Sequence, residues 1–248
     1  MTDPAPPRAP DTLRLLQHLR KSGDLAAERQ RVNARELEPR LALLKTWQSA
    51  RLARTHRDLL DSKRYGPATR FFVTDIYAAR DFSQRDQDVK QMHRILLRFL
   101  PEHTLHALAQ AIELNEMSHR LDAALAEAVF DRLGATDTIT PELYAAGYRE
   151  CDNYVERVKQ IERIVEVGRG VDQVVRLPMI GTTLRVARGP IHRAGLGELH
   201  DFLERGYAAF STMHGGDWFL DTIYQREMGI LDRIFSAHPD PFGQNDER

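Results

Sequence analysis

PEHTLHALAQAIELNEMSHRLDAALAEAVFDRL, residues 101–133, is the stretch that decides the fold class. Pro101 suits the first position of a helix, and no further proline or glycine follows until Gly134, which suits its end. At about 100° per residue the apolar side chains fall on two faces. One carries Leu114, Met117, Leu121 and Leu125. The other begins with Leu105, Leu108 and Ile112 and ends with Ala123, Ala126 and Phe130. A helix apolar on two sides is expected at the centre of a helical protein. Its second face is interrupted by Asn115, Glu116 and His119, three polar groups within about one turn. On a buried face such groups need partners, so they form a candidate ligand-binding island. Glu116 and His119 also make one Glu-x-x-His pair, the unit that di-iron bundles use twice. The sequence holds no second such pair, and neither a metal nor another cofactor is expected.

Downstream, Thr140-Pro141-Glu142 is a strong helix start. The spacing predicts a helix to Val167 with Tyr144, Tyr148, Cys151, Val155, Val158, Ile161 and Val165 on one stripe. It would be a second spine about 40 Å long, ended by Gly168 and Gly170. Residues 171–195 contain Pro178, Gly181, Gly189, Pro190 and Gly195 and are expected to form short helices and turns. Arg185, Arg188, His192 and Arg193 cluster there. Guanidinium groups on a pliable backbone suit phosphate or carboxylate; equally, they can pair with acids of neighbouring helices. Leu196–Met213 is amphipathic, His214–Asp217 is a turn with Asp217 as N-cap, and a last helix runs from Trp218 to Ala237. In that helix Glu227 falls inside the stripe of Leu220, Ile223, Leu231 and Ile234. A carboxylate there needs a cationic partner, expected from Arg185, Arg188 or Arg193, with Arg188 first.

Upstream, Gly66-Pro67-Ala68-Thr69-Arg70-Phe71-Phe72-Val73-Thr74-Asp75-Ile76-Tyr77 opens a short helix that stops near Arg80-Asp81. Phe72, Ile76 and Ala79 share one face and Phe71 and Asp75 the next, so the helix is expected to plug the core. Residues 71–77 resemble the FFLEELY signature of an uncharacterised group of bacterial proteins. Phe71, Phe72 and Tyr77 match, and Val73, Asp75 and Ile76 are close replacements. Thr74 stands where an acid is usual. The run Phe202-Leu203-Glu204-Arg205-Gly206-Tyr207 is similar to one near the C-terminus of that group. The resemblance implies a bacterial source and no particular activity.

The first ten residues hold four prolines and are expected to be a disordered tail. Asp11 can cap a first helix. A long helix is then expected from about Leu25 to Asp61, bent near Pro39, with Arg29, Arg31, Arg35, Arg40, Arg51, Arg54 and Arg57 on its solvated side. Residues 84–99 form another, with His93 on its apolar face.

Composition sets outer bounds. The chain has 248 residues, 42% hydrophobic and 29% charged, as a soluble globular protein does. Cys151 is the single cysteine, so no internal disulfide can form. No apolar run has the length of a membrane span or a signal peptide, and a cytoplasmic location is expected. Residues 1–70 hold 15 Lys and Arg against 8 Asp and Glu, and the rest 20 against 28. No nucleic-acid-binding motif accompanies the basic third, so nucleic acid is not an expected partner. The expectation is therefore one all-α domain over residues 11–237, a multi-helix bundle on two long central helices, with tails at 1–10 and 238–248. Its expected function is that of a non-enzymatic binding or regulatory protein with a protein or small-molecule partner. The alternative is a small-ligand carrier or enzyme with a polar pocket inside the bundle, built from Asn115, Glu116, His119 and Asp75.

Overall fold

The computed structural model describes residues 34–76, 102–193, 195 and 197–243. The described residues are helical, without a strand: α1 (Ala34–Thr55), α2 (Arg57–Asp61), α3 (Gly66–Phe71), α4 (Glu102–Ala126), α5 (Pro141–Cys151), α6 (Tyr154–Val175), α7 (Ile180–Arg193), α8 (Gly197–Ser211) and α9 (Asp217–Phe235). Two of them widen into π-type turns, α3 over Phe72–Ile76 and α4 over Glu127–Arg132. The expected tail at 1–10, the helix from Asp11, the helix over 84–99 with its His93, and the end of the tail at 244–248 lie outside the described residues.

α4 is described from Glu102 and runs without a break into its π turn, as the doubly apolar pattern requires; Pro101 lies outside the described residues. α5 also starts as expected. Thr140 caps it, its side chain accepting from the Leu143 N–H at 3.2 Å, and Pro141 occupies the first turn. The single 40 Å spine over 141–167 does not form. Asp152 takes a left-handed conformation (φ +48°), the chain turns, and Val155, expected on the inward stripe, is 59% exposed. Asp152 and Asn153, residue types that tolerate turn conformations, break a stripe that the apolar spacing alone would bridge, and the Asp152 N–H donates back to the Arg149 carbonyl.

The second part of that spine, α6, passes through Gly168 and Gly170 and ends at Val175. Gly168 is a packing glycine here. A Cβ on it would lie 2.4 Å from Leu220 Cδ2 on α9, so its bare backbone lets α6 and α9 approach. α6 is packed against α4 on one side and α9 on the other. The segment expected as irregular, 171–195, is mostly ordered helix. After a tight turn at 176–179, α7 runs over fourteen residues with Pro190 in its last turn and buries Ile180, Leu184, Ala187 and Ile191 at helical spacing. It lies along α8.

The Phe-Phe window does enter the core. Phe71, Phe72 and Val73 are buried with Leu52, Val165, Phe210, Met213 and Phe219. The Phe71 ring sits 5.1 Å from that of Phe202 and 6.2 Å from that of Phe210. A Cβ at Gly206 would come within 3.1 Å of the Phe71 ring, so Gly206 forms its seat. The two short runs that carry the sequence resemblance thus meet in space. The Ile76 side chain lies outside the described residues. Phe71→Ala should destabilise the protein by about 3–5 kcal/mol. Urea denaturation would show it as a lowered midpoint; a loss below about 1 kcal/mol would mean that this ring does not fill the core.

Candidate functional site

The inward stripe of α1 is Leu41, Leu44, Gln48 and Leu52, with Arg51 beside it. Gln48 and Arg51 are therefore carried inside by helical geometry, and both are at least 95% buried. Arg51 Nη1 donates to both carboxylate oxygens of Glu227 on α9, at 2.6 Å each. His56, just past the end of α1 and fully buried, donates from Nε2 to Glu227 Oε1 at 3.0 Å. Its Nδ1 has no hydrogen-bond partner among the described residues. Burial alone would push the Glu227 carboxyl up; the Arg51 charge and the His56 hydrogen bond outweigh it and bring it down to about 2.

The inward position and cationic need of Glu227 follow from the sequence, but its expected partner does not hold. Arg185, Arg188 and Arg193 are exposed, and Arg188 approaches Glu204 at 3.9 Å instead. Arg51, placed by composition on a solvated side, is the partner. A buried guanidinium whose Nη1 is shared between both oxygens of a buried carboxylate is better compensated than one reaching in from a surface helix.

A second polar group meets the first. Arg157 and Gln160 lie one turn apart on α6, both buried. Arg157 donates to Gln160 Oε1 at 2.9 Å and to the Leu121 carbonyl at 3.0 Å, lies 3.6 Å from Asp122, and covers the Tyr148 ring at 4.4 Å. Gln160 in turn donates to Ser118 Oγ at 2.8 Å. From α1, Gln48 Nε2 donates to Asp122 at 3.1 Å and to the Tyr144 hydroxyl at 3.3 Å. The Tyr144 hydroxyl donates to the Tyr148 hydroxyl at 3.1 Å, and its ring stacks on Trp47. Burial, with Tyr148 beside it, pushes the Tyr144 phenol well above its ordinary value.

Between the two groups lies a cavity of about 30 Å³, with Arg51, Tyr144, Tyr148, Arg157, Gln160 and Glu227 as its polar lining. A water needs roughly 10–15 Å³, so the space suits two waters or one small polar group. Leu52, Phe72, Ile164 and Ile223 are among its apolar walls.

This is not the pocket that the sequence suggests. Asn115 and Glu116 are half-buried and His119 is exposed, and none of them lines the cavity. The Asp75 side chain lies outside the described residues. Among the arginine-rich candidates of α7, His192 faces Asp201 at 3.1 Å, while Arg185 and Arg193 stay at the surface. Arg51, Tyr144, Tyr148, Arg157 and Gln160 are missed by motif reading. A signal for them exists. Gln48 continues the Leu41/Leu44 stripe, and Arg157 and Gln160 precede Ile164 and Gly168 at intervals of three and four.

Two outcomes follow from the Glu227 cluster. Glu227→Gln should cost about 3–5 kcal/mol, since it strands a buried guanidinium, while Arg51→Met with Glu227→Leu should cost less than that single change. Equal or greater loss in the double variant, by chemical denaturation, would contradict this. The pH dependence has a fixed sign. The carboxyl of Glu227 is depressed in the folded state, so its contribution is complete above the ordinary value of 4.5 and is lost as pH falls toward about 2. Over that window the wild type should lose about 3 kcal/mol more than Glu227→Gln; parallel acid-unfolding curves would refute it.

No curated protein and no solved structure matches the chain. A family model described as a domain of unknown function, DUF8198, matches residues 27–241, and so takes in both halves of the buried network and every helix from α1 to α9. The chain belongs to the DUF8198 family.

Proposed function

We propose that the protein is a non-enzymatic binding protein whose interior cavity takes the anionic group of a small molecule, a carboxylate or an inorganic oxyanion. One observation carries the reading: two guanidiniums, two tyrosyl hydroxyls and a carboxamide from α1, α5 and α6 converge on a space sized for such a group, against the single carboxylate of Glu227. Of the two guanidiniums, Arg51 is paired with Glu227 and Arg157 with Asp122 just behind the lining. Buried ionic groups are a weak source of stability compared with well-packed apolar ones, which fits retention of this cluster for binding. The acid–base character of these groups favours holding over conversion. Glu227 is locked as an anion, the Tyr144 phenol is kept neutral, and burial pushes the Cys151 thiol up. None is poised for proton transfer or nucleophilic attack near neutral pH. The likeness of residues 71–77 to the FFLEELY signature with the bacterial source it implies, the cytoplasmic location expected from the sequence, and a single domain over residues 11–237 belong to the same proposal. Among the described residues no helix is long and apolar enough to cross a membrane.

Formate, acetate, nitrate and phosphate, titrated separately into the full chain at millimolar concentrations, test the reading by thermal unfolding. At least one should raise Tm saturably by roughly 5–10 °C when present at about a hundred times its Kd. Tyr148→Phe keeps the ring and removes only a hydroxyl, and should weaken that ligand about tenfold. A panel without a saturable shift, or a shift unchanged in Tyr148→Phe, would exclude the cavity as the binding site.

A further inference from the structure

A second cluster lies away from the cavity, where the end of α7 meets the start of α8. His192 stands in the last turn of α7, and His200 and Asp201 are adjacent in the first turns of α8. One ligand-capable atom from each lies within 4.8 Å of the others. His192 Nε2 is 3.1 Å from Asp201 Oδ1, and His200 Nδ1 is 3.8 Å from the same oxygen. Glu204, one turn further along α8, brings a carboxylate oxygen to 3.9 Å from His200 Nδ1. The absence of a side chain at Gly197 matters here, because a Cβ would sit 2.8 Å from the His192 ring.

His200 is the decisive residue. It is fully buried, and its Nε2 is 2.8 Å from the Leu184 carbonyl oxygen. A carbonyl only accepts, so the Nε2 nitrogen carries the proton. In the neutral ring the lone pair is then on Nδ1, which is buried without a hydrogen-bond partner. That lone pair faces two carboxylate oxygens that are themselves acceptors, at distances too long for an Nδ1–H hydrogen bond to either. Asp201 Oδ1 also has His192 Nε2 at 3.1 Å, and the Glu204 oxygen has Arg188 at 3.9 Å; the buried His200 Nδ1 lone pair has no donor among the described residues, and a cation beside it would satisfy it.

The geometry fits a metal ion better than a proton. Bonds of about 2.0 Å in a tetrahedral site place neighbouring ligand atoms about 3.3 Å apart, against 3.1 and 3.8 Å from the two imidazole nitrogens to Asp201 Oδ1. One ring nitrogen of His200 tied to a backbone carbonyl is the outer-shell contact that fixes the tautomer and aim of a metal-binding imidazole. Two imidazoles and a carboxylate select a borderline transition ion over magnesium or calcium, which prefer all-oxygen sites. The side chains of His192 and Asp201 are 38% and 41% exposed, which gives an ion access from solvent. We propose that His192, His200 and Asp201 bind a divalent transition-metal ion of the zinc class, with Glu204 as a fourth or outer ligand. Such an ion would clamp α7 to α8 by their ends.

Zinc itself is the probe. The full chain, stripped of metal by chelator dialysis, is titrated calorimetrically with Zn²⁺, and in parallel with Co²⁺ while visible absorption is read. The expected result is one ion per chain at micromolar Kd or tighter, with ligand-field bands for cobalt in a nitrogen and oxygen site. His192→Gln and Asp201→Asn alter half-exposed side chains, so the fold should survive them. Each should weaken zinc at least about tenfold and abolish the cobalt bands. His200→Gln is the third variant, interpreted only if its circular dichroism matches wild type. No binding by the wild type, or binding with the same affinity and spectrum in His192→Gln and Asp201→Asn, would overturn the proposal and place any bound metal on other histidines.

Discussion

The contact between Arg51, Glu227 and His56 constrains the rest of the structure. A carboxylate on the inward stripe of α9 cannot be left alone in an apolar interior. Its two partners come from α1 and the turn after it, 176 and 171 residues earlier in sequence. The pair therefore fixes α1 against α9. A second contact between the same regions, the bidentate bond of Arg226 to Asp58 at 2.6 and 2.8 Å, runs along the surface beside it. Planar guanidiniums and phenol hydroxyls aligned for hydrogen bonding cannot also fill space as aliphatic chains do. The cavity between the Glu227 and Arg157 groups is the geometric remainder of satisfying both.

Much of the helical architecture was legible because helix periodicity and capping are local. The end of the doubly apolar pattern of residues 101–133 and the Thr140-Pro141 start correspond to observed boundaries, and the last helix begins at Asp217, with Gly216 and not Asp217 in the cap position. The failures share a cause. Gly168 reads as a stop in sequence, yet its role is set by Leu220 on another helix. Asp152 breaks an apolar stripe that would otherwise continue, through a left-handed residue that the spacing does not encode. The fourteen residues of α7 hold together because one face packs on α8, despite two glycines and a proline. Each is a tertiary effect that overrides a local preference.

The candidate site was less legible for the same reason. Periodicity states that Glu227 points inward and needs a cation, but not which helix supplies it. Seven arginines on residues 29–57 look like the solvated side of a long helix, and only the interval from Leu44 through Gln48 to Leu52 shows that Arg51 sits beside the inward stripe. Asn115, Glu116 and His119 formed the more conspicuous polar island, yet α4 contributes to the buried network through Asp122 and Ser118, which meet α1 and α6, and none of its residues lines the cavity. The meeting of His192 with His200 and Asp201 depends on how α7 turns into α8, and no spacing rule along one helix could deliver it.

The separation of 176 residues between Arg51 and Glu227 also has a meaning in time. At about 5–20 residues per second, a ribosome makes the acid on the order of 10–35 s after the base. Through that interval the guanidinium lacks its native carboxylate and keeps its hydration. Leu44 can already pack on α4 and α5, made earlier, while the Arg51 corner of α1 closes only when α9 arrives. The first described helix thus makes its last buried contact late.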